Sequence, residues 1–124
     1  GLELASSEVD VATVCACEDI TLSTEARSQR FVHDLQAESG APPGPFAVEA
    51  YDAGWLLIGS LEGTGGTRAA LASALDDLTR FSGLAGTYSF ATDGSRAPEP
   101  SAGIWGAAGS RWLPGPALIG ASAT

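Results

Sequence analysis

The sequence predicts an α/β fold, and three observations carry that prediction. A β-branched run, Val9–Val14, opens the readable part of the chain. Three segments with apolar residues at helical spacing follow it. Aromatic-rich runs of strand character close the chain. The 124 residues suit one domain rather than two. A domain of that length buries about two-thirds of its unfolded surface, so it needs no metal or disulfide to hold it. With 44% hydrophobic and 17% charged residues, the chain is no acidic disordered tail.

Each element has a local reason. Val9–Val14 reads as a buried strand, and Glu18-Asp19 then marks a loop at its carboxyl edge. Ser23 is placed to cap the next helix, with Glu25 in its first turn. Phe31, Val32 and Leu35 form the apolar stripe, and Ser39-Gly40 ends the helix, since Gly takes the left-handed conformation freely. Ala41-Pro42-Pro43-Gly44-Pro45 is a stiff connector, with Pro45 suited to a first helical position. The next helix, about 46–62, is apolar nearly all round and is expected to be buried on more than one side. Glu49 and Asp52 form its one strongly polar strip.

Gly63-Thr64-Gly65-Gly66 makes a turn, because a phosphate-binding loop would follow a strand and this one follows a helix. A third helix spans about 67–79, with Leu71, Leu75 and Leu78 as its core face. Gly83 and Gly86 bracket a bend before the alternating run Thr87-Tyr88-Ser89-Phe90, and Asp93-Gly94 signals a turn. Gly103-Ile104-Trp105 and Arg111-Trp112-Leu113 read as the arms of a hairpin. Residues 117–124 read as a loose tail. The opening strand–helix step looks like half of an α/β crossover unit.

Composition excludes several functions. Fifteen acids stand against six arginines and no lysine, for a net charge of -9. Eleven of the acids lie in the first 62 residues. No basic cluster exists to displace counterions from phosphates, so nucleic acid is excluded as a partner, and an anionic membrane surface is disfavoured for the same reason. The most apolar stretch, Phe46 to Leu61, is too short and too charged to span a bilayer. No methionine occurs, which points to a chain processed or cut from a longer one.

The motifs for catalysis are missing. His33 is the one imidazole and sits mid-helix, away from any Ser or Cys nucleophile motif. No cofactor or metal site is expected. Cys15 and Cys17 form a C-x-C that is open to three readings: small core residues, a disulfide that needs a local kink, or metal and redox chemistry. Trp55, Trp105 and Trp112 are spaced as core and hairpin residues.

Three stretches carry a resemblance. Arg30-Phe31-Val32 leads through the Gly-Pro connector to Ala50-Tyr51-Asp52-Ala53. GLAGTYSFATDG spans Gly83–Gly94, and IWGAAGSRWLPG spans Ile104–Gly115. In this order and spacing the chain resembles the C-terminal part of the type I periplasmic, or extracellular, solute-binding proteins, in the branched-chain amino acid branch that serves ABC transporters. Ala91 and Ser95 stand where that family often has acids in a turn.

The resemblance implies a three-layer α/β periplasmic-binding-protein-like type I fold. It is partial, a C-terminal third with pieces of both lobes, and open to completion by dimerisation or strand exchange. Residues 9–44 then belong to the second lobe, 45–100 to the first, and 101–116 to a closing hairpin. The expected function is non-catalytic binding of a small polar, amino-acid-like solute, with hand-off to membrane transporter subunits. The compartment would be extracellular or periplasmic. An alternative is a ligand-sensing or protein-interaction module on a larger regulatory protein such as a kinase, with a homodimer as one arrangement.

Ligands in α/β sheets sit beyond the carboxyl ends of strands, which nominates Cys17 and Glu18. The start of the helix after the connector faces the cleft in the family, which nominates Phe46, Val48 and Glu49. Phe46 would pack on an apolar ligand group, and Glu49 would accept a hydrogen bond from an amine.

Overall fold

Strand β1, Val9–Cys15, pairs antiparallel with β5, Gly103–Ala108, which pairs in turn with β6, Arg111–Pro114. The structure is a computed structural model and describes residues 9–97, 103–108 and 111–114. The tail expected from 117 lies outside these. The order of this sheet is β1-β5-β6. The hairpin expected from Ile104 and Trp112 is therefore present, with Ala107 opposite Trp112. The described partner of β1 is antiparallel, so the opening strand is not seen as half of a parallel crossover.

A 3-10 turn, Ile20–Leu22, follows the loop after β1 and is capped by the Asp19 side chain. Helix α1 then runs Ala26–Ser39. Ser23 closes the 3-10 turn instead of capping α1, and Glu25 takes the N-cap position. The Ser23 hydroxyl accepts from the Glu25 N–H, two residues on, which is the local bond that competes with capping. Gly40 ends α1 in the left-handed region at φ 76°.

These elements form one of two compact units, comprising the described residues up to Ala47 together with β5 and β6. Among the described residues Trp105, Cys17 and Ile20 are buried in it, at 1%, 1% and 4% exposure. Gly103 is required by close packing: a Cβ there would meet the Cys17 carbonyl oxygen at 2.5 Å and Trp105 Nε1 at 3.0 Å. The buried Trp105 Nε1 has no hydrogen-bond partner among the described residues.

The second unit starts at Val48. Helix α2, Ala47–Glu62, buries the face made by Val48, Asp52 and Leu56. These positions recur every four residues, so they lie one above another. The sequence pattern predicted burial on several sides. The structure instead leaves Tyr51, Trp55, Leu57, Ile58 and Leu61 exposed. Helix α3, Arg68–Asp76, is shorter than expected and is capped by the Thr67 hydroxyl, which accepts from the Ala70 N–H. Its core-face leucines are only half-buried.

Strands β2 (Phe81–Ser82), β3 (Thr87–Phe90) and β4 (Arg96–Ala97) form an antiparallel meander. The Gly83 N–H donates to the Gly86 carbonyl and closes the first turn. Asp93 organises the second, accepting from the Ser95 N–H at 2.9 Å and its hydroxyl at 2.6 Å. Those two bonds hold the Asp93 carboxyl below the usual carboxylate range, the hydroxyl bond contributing most.

Candidate functional site

The connector between α1 and α2 ends in a tight turn. The Ala47 N–H donates to the Gly44 carbonyl, so Pro45 and Phe46 are the central pair. Pro45 pre-sets the first central position. Phe46 occupies the second at φ 63°, where a type II turn normally takes Gly or Asn. Among the described residues it is the one non-glycine with positive φ. Its side chain is also 52% exposed. A bulky apolar residue thus carries backbone strain of about 1–2 kcal/mol without the reward of burial. The sequence suits Pro45 to a first helical position. The turn instead precedes the helix, which starts at Ala47.

Phe46 lines a cavity of about 440 Å³ with Cys15, Gly44, Pro45 and Trp112. That volume lies within the usual range for small-molecule sites. Trp112 comes from β6 and is 40% exposed, and a Cβ on Gly44 would touch its Cβ at 4.0 Å. The walls are thus two aromatic rings, a proline and a cysteine, with no charged side chain. Such a surface suits an apolar or planar group. Nothing in the sequence alone singles out Trp112, Gly44, Pro45 and Cys15 as lining such a cavity. The readable signal was Pro45-Phe46 itself, a turn dipeptide with an aromatic in the glycine position.

The other nominees lie elsewhere. Cys17 is 1% exposed and is disulfide-bonded to Cys15, with a Cα–Cα distance of 5.2 Å. Of the three readings of the C-x-C pair, the structure holds the disulfide, and its Cys17 half is also core. Glu18 is half-buried in the loop that follows. Val48 is 1% exposed, in the second unit. Glu49, also in that unit, is half-buried and lies near enough to Tyr88 to oppose its ionisation.

Asp52 is the clearest departure from the expected polar strip. It is 2% exposed and accepts three hydrogen bonds: from Leu84 N–H at 2.7 Å, Ala85 N–H at 2.9 Å and Tyr88 Oη at 2.8 Å. Its role in the second unit is to lock the β2–β3 turn onto α2. Tyr88 is pushed well above the ordinary tyrosine range, first by burial and then by its bond to Asp52. The Arg96 guanidinium lies 3.8 Å over the Tyr88 ring and partly opposes that rise.

His33 sits on the outer face of α1 with its side chain 82% exposed, 3.2 Å from Asp34. It borders an open groove of about 320 Å³ with Ile20, Thr21, Ser23, Gln29, Val32 and Gln36. No Ser or Cys nucleophile motif accompanies it. Among the described residues no group of three or more His, Cys, Asp or Glu side chains could hold a metal. No helix among them is long and apolar enough to cross a membrane.

No family model matches the sequence, and no curated protein matches it significantly. Solved structures do. An ABC transporter substrate-binding protein from Desulfitobacterium hafniense, solved in complex with Leu, is 26% identical with a TM-score of 0.65. The match covers 90% of this chain and 32% of that one. The chain shares its fold with part of a type I ABC-transporter substrate-binding protein. A solute-binding protein from R. palustris, in complex with benzoate, is 24% identical with a TM-score of 0.60, covering 92% of this chain and 32% of that chain. A leucine-binding protein from Thermotoga maritima is 16% identical with a TM-score of 0.64, covering 87% and 30%. The chain therefore spans about a third of the length of the solved structures it matches. Its fold is a partial type I periplasmic-binding-protein-like fold of mixed helix and sheet.

Proposed function

We propose that this chain is the C-terminal part of a solute-binding protein that captures a small amino-acid-like or aromatic carboxylate solute and delivers it to an ABC transporter without chemical conversion. The observation that carries the reading is Phe46. A strained, exposed aromatic stands where glycine would relax the turn, and it lines a cavity with Trp112. Such a side chain is explained by what it touches when the cavity is filled. The apolar portion of the solute packs between Phe46, Pro45 and Trp112. Polar recognition falls to the loop after β1, where Glu18 accepts from an amine of the solute. Cys17 and Val48 are each 1% exposed and are packing residues of their own units.

In this reading residues 9–44 and the closing hairpin at 101–116 belong to one lobe and 45–100 to the other, although the first compact unit runs on to Ala47 and so includes Pro45 and Phe46. The protein acts outside the cytoplasm, in the periplasm or at the cell surface.

The test is a thermal-shift panel of amino acids and small aromatic carboxylates. Apolar amino acids or benzoate-like acids are expected to raise the midpoint in the wild type and to lose that effect in Phe46→Ala. A flat response across the panel would sink the reading. One feature favours a second role as an interaction module: the stripe of Tyr51, Trp55 and Ile58 on α2, exposed by 42%, 53% and 49%. Light scattering separates that role, since a monomer at high concentration would remove it.

A further inference from the structure

The C-x-C pair does more than close a strand. An extended backbone places residues i and i+2 roughly 6.6–7.2 Å apart, whereas the Cα atoms of Cys15 and Cys17 are 5.2 Å apart. The chain is therefore bent over Ala16 just where β1 ends, and the separation falls inside the range a disulfide accepts. The two sulfur positions differ in access. Cys15 lines the cavity with Phe46 and Trp112, while Cys17 is 1% exposed. A link across a sequence separation of 2 removes far less loop entropy from the unfolded chain than a link closing a long loop. It is a weak staple, and its position at a cavity wall calls for another explanation.

We propose that Cys15 is a thiol-exchange site, at which a small neutral or cationic organic thiol enters the Phe46–Trp112 cavity and is held as a mixed disulfide. The incoming thiolate attacks the Cys15 sulfur, the S–S bond to Cys17 breaks, and Cys17 leaves as a thiolate that takes up a proton. A second thiolate attacking the adduct releases the symmetric small-molecule disulfide and leaves Cys15 reduced. Two thiols are oxidised and one protein disulfide is reduced, so electrons balance.

Access selects Cys15 over Cys17 as the sulfur attacked. Charge selects the thiol. The chain carries a net charge of -9, and the cavity wall holds no cation. A second negative charge on the thiol is repelled by that net charge, whereas an ammonium group is favoured by the faces of Phe46 and Trp112. The proposal uses the same cavity as the solute reading but does not depend on which solute binds there.

The experiment is peptide mapping of the air-purified protein by mass spectrometry. Iodoacetamide without reductant is expected to add nothing to the native protein. Cysteamine is then expected to appear on Cys15, with Cys17 becoming alkylatable. 2-Mercaptoethanesulfonate, compared at equal thiolate concentration, is expected to react slower by about threefold or more. The Cys17→Ser variant is expected to take a cysteamine adduct on Cys15 from cystamine, and Cys15→Ser to take none without denaturant. Two alkylated cysteines in the untreated protein, an adduct on Cys17, equal rates for the two thiols, or reaction only in denaturant would each overturn the proposal. The readout is a covalent mass at a named residue, so a failed solute titration leaves it standing, and a failed adduct leaves the solute reading standing.

Discussion

Replacing Asp52 with alanine is expected to destabilise the protein more than any other single polar deletion on α2. The carboxylate is 2% exposed and accepts from two backbone N–H groups and one phenol. Alanine leaves all three donors without their acceptor. Hydrogen bonds to a charged group contribute about 1.5–3 kcal/mol each. The three share one carboxylate, so they do not add, and the expected loss is about 3–5 kcal/mol. For a chain of this length that corresponds to a midpoint fall of roughly 10–20 °C. Asn is expected to be intermediate, because one oxygen still accepts while its NH2 faces donors. Tyr88→Phe, which removes one donor and leaves the Ala85 N–H on the same oxygen, is expected to cost about 1 kcal/mol. The assay is urea unfolding followed by circular dichroism, read as a shift in midpoint at constant slope. A loss below about 1 kcal/mol for Asp52→Ala would refute the claim that this carboxylate fastens the turn to the helix.

Three further outcomes follow from the same geometry. Phe46→Gly is expected to stabilise the fold by about 1 kcal/mol through release of strain at φ 63°, while abolishing solute-induced stabilisation; thermal melts with and without solute check both halves. Gly103→Ala is expected to destabilise by about 2 kcal/mol or more, since the added methyl would press on the Cys17 carbonyl oxygen, and urea unfolding reads it. Tyr88 is raised in the folded state, so its contribution is complete below the unfolded value near pH 10 and declines as pH rises beyond it. Urea midpoints measured from pH 9 to 11 are therefore expected to fall more steeply in wild type than in Tyr88→Phe.

Much of the fold is legible locally, and the residues show why the rest is not. The β-branched run Val9–Val14 and the Gly40 stop are short-range signals, and both elements form where they point, but Val14, read as part of a buried strand, is 67% exposed. Strands β2 and β4 are two residues each, too short for any periodicity to register. Asp52 sits in a helix beside Glu49, a pattern that reads as a wet strip; its donors arrive from the β2–β3 turn and from Tyr88 of β3, 32–36 residues later. The exposed stripe of α2 shows the opposite error, since an apolar helix announces what it can bury but not how much partner surface is present. Phe46 was legible as a candidate, but the strain that makes it informative is a backbone angle. Trp112 reaches the cavity only because β6 pairs with β5.

The most direct test of the central claim, that the Phe46–Trp112 cavity receives the apolar part of a small solute, is a fluorescence titration that isolates Trp112. A Trp55→Phe background removes the other exposed indole, and Trp105 stays buried as an internal reference. The account predicts a saturable change in Trp112 emission with apolar amino acids or aromatic carboxylates, absent in Phe46→Ala. Saturable binding that leaves Trp112 emission unchanged, or that persists in Phe46→Ala, would contradict it.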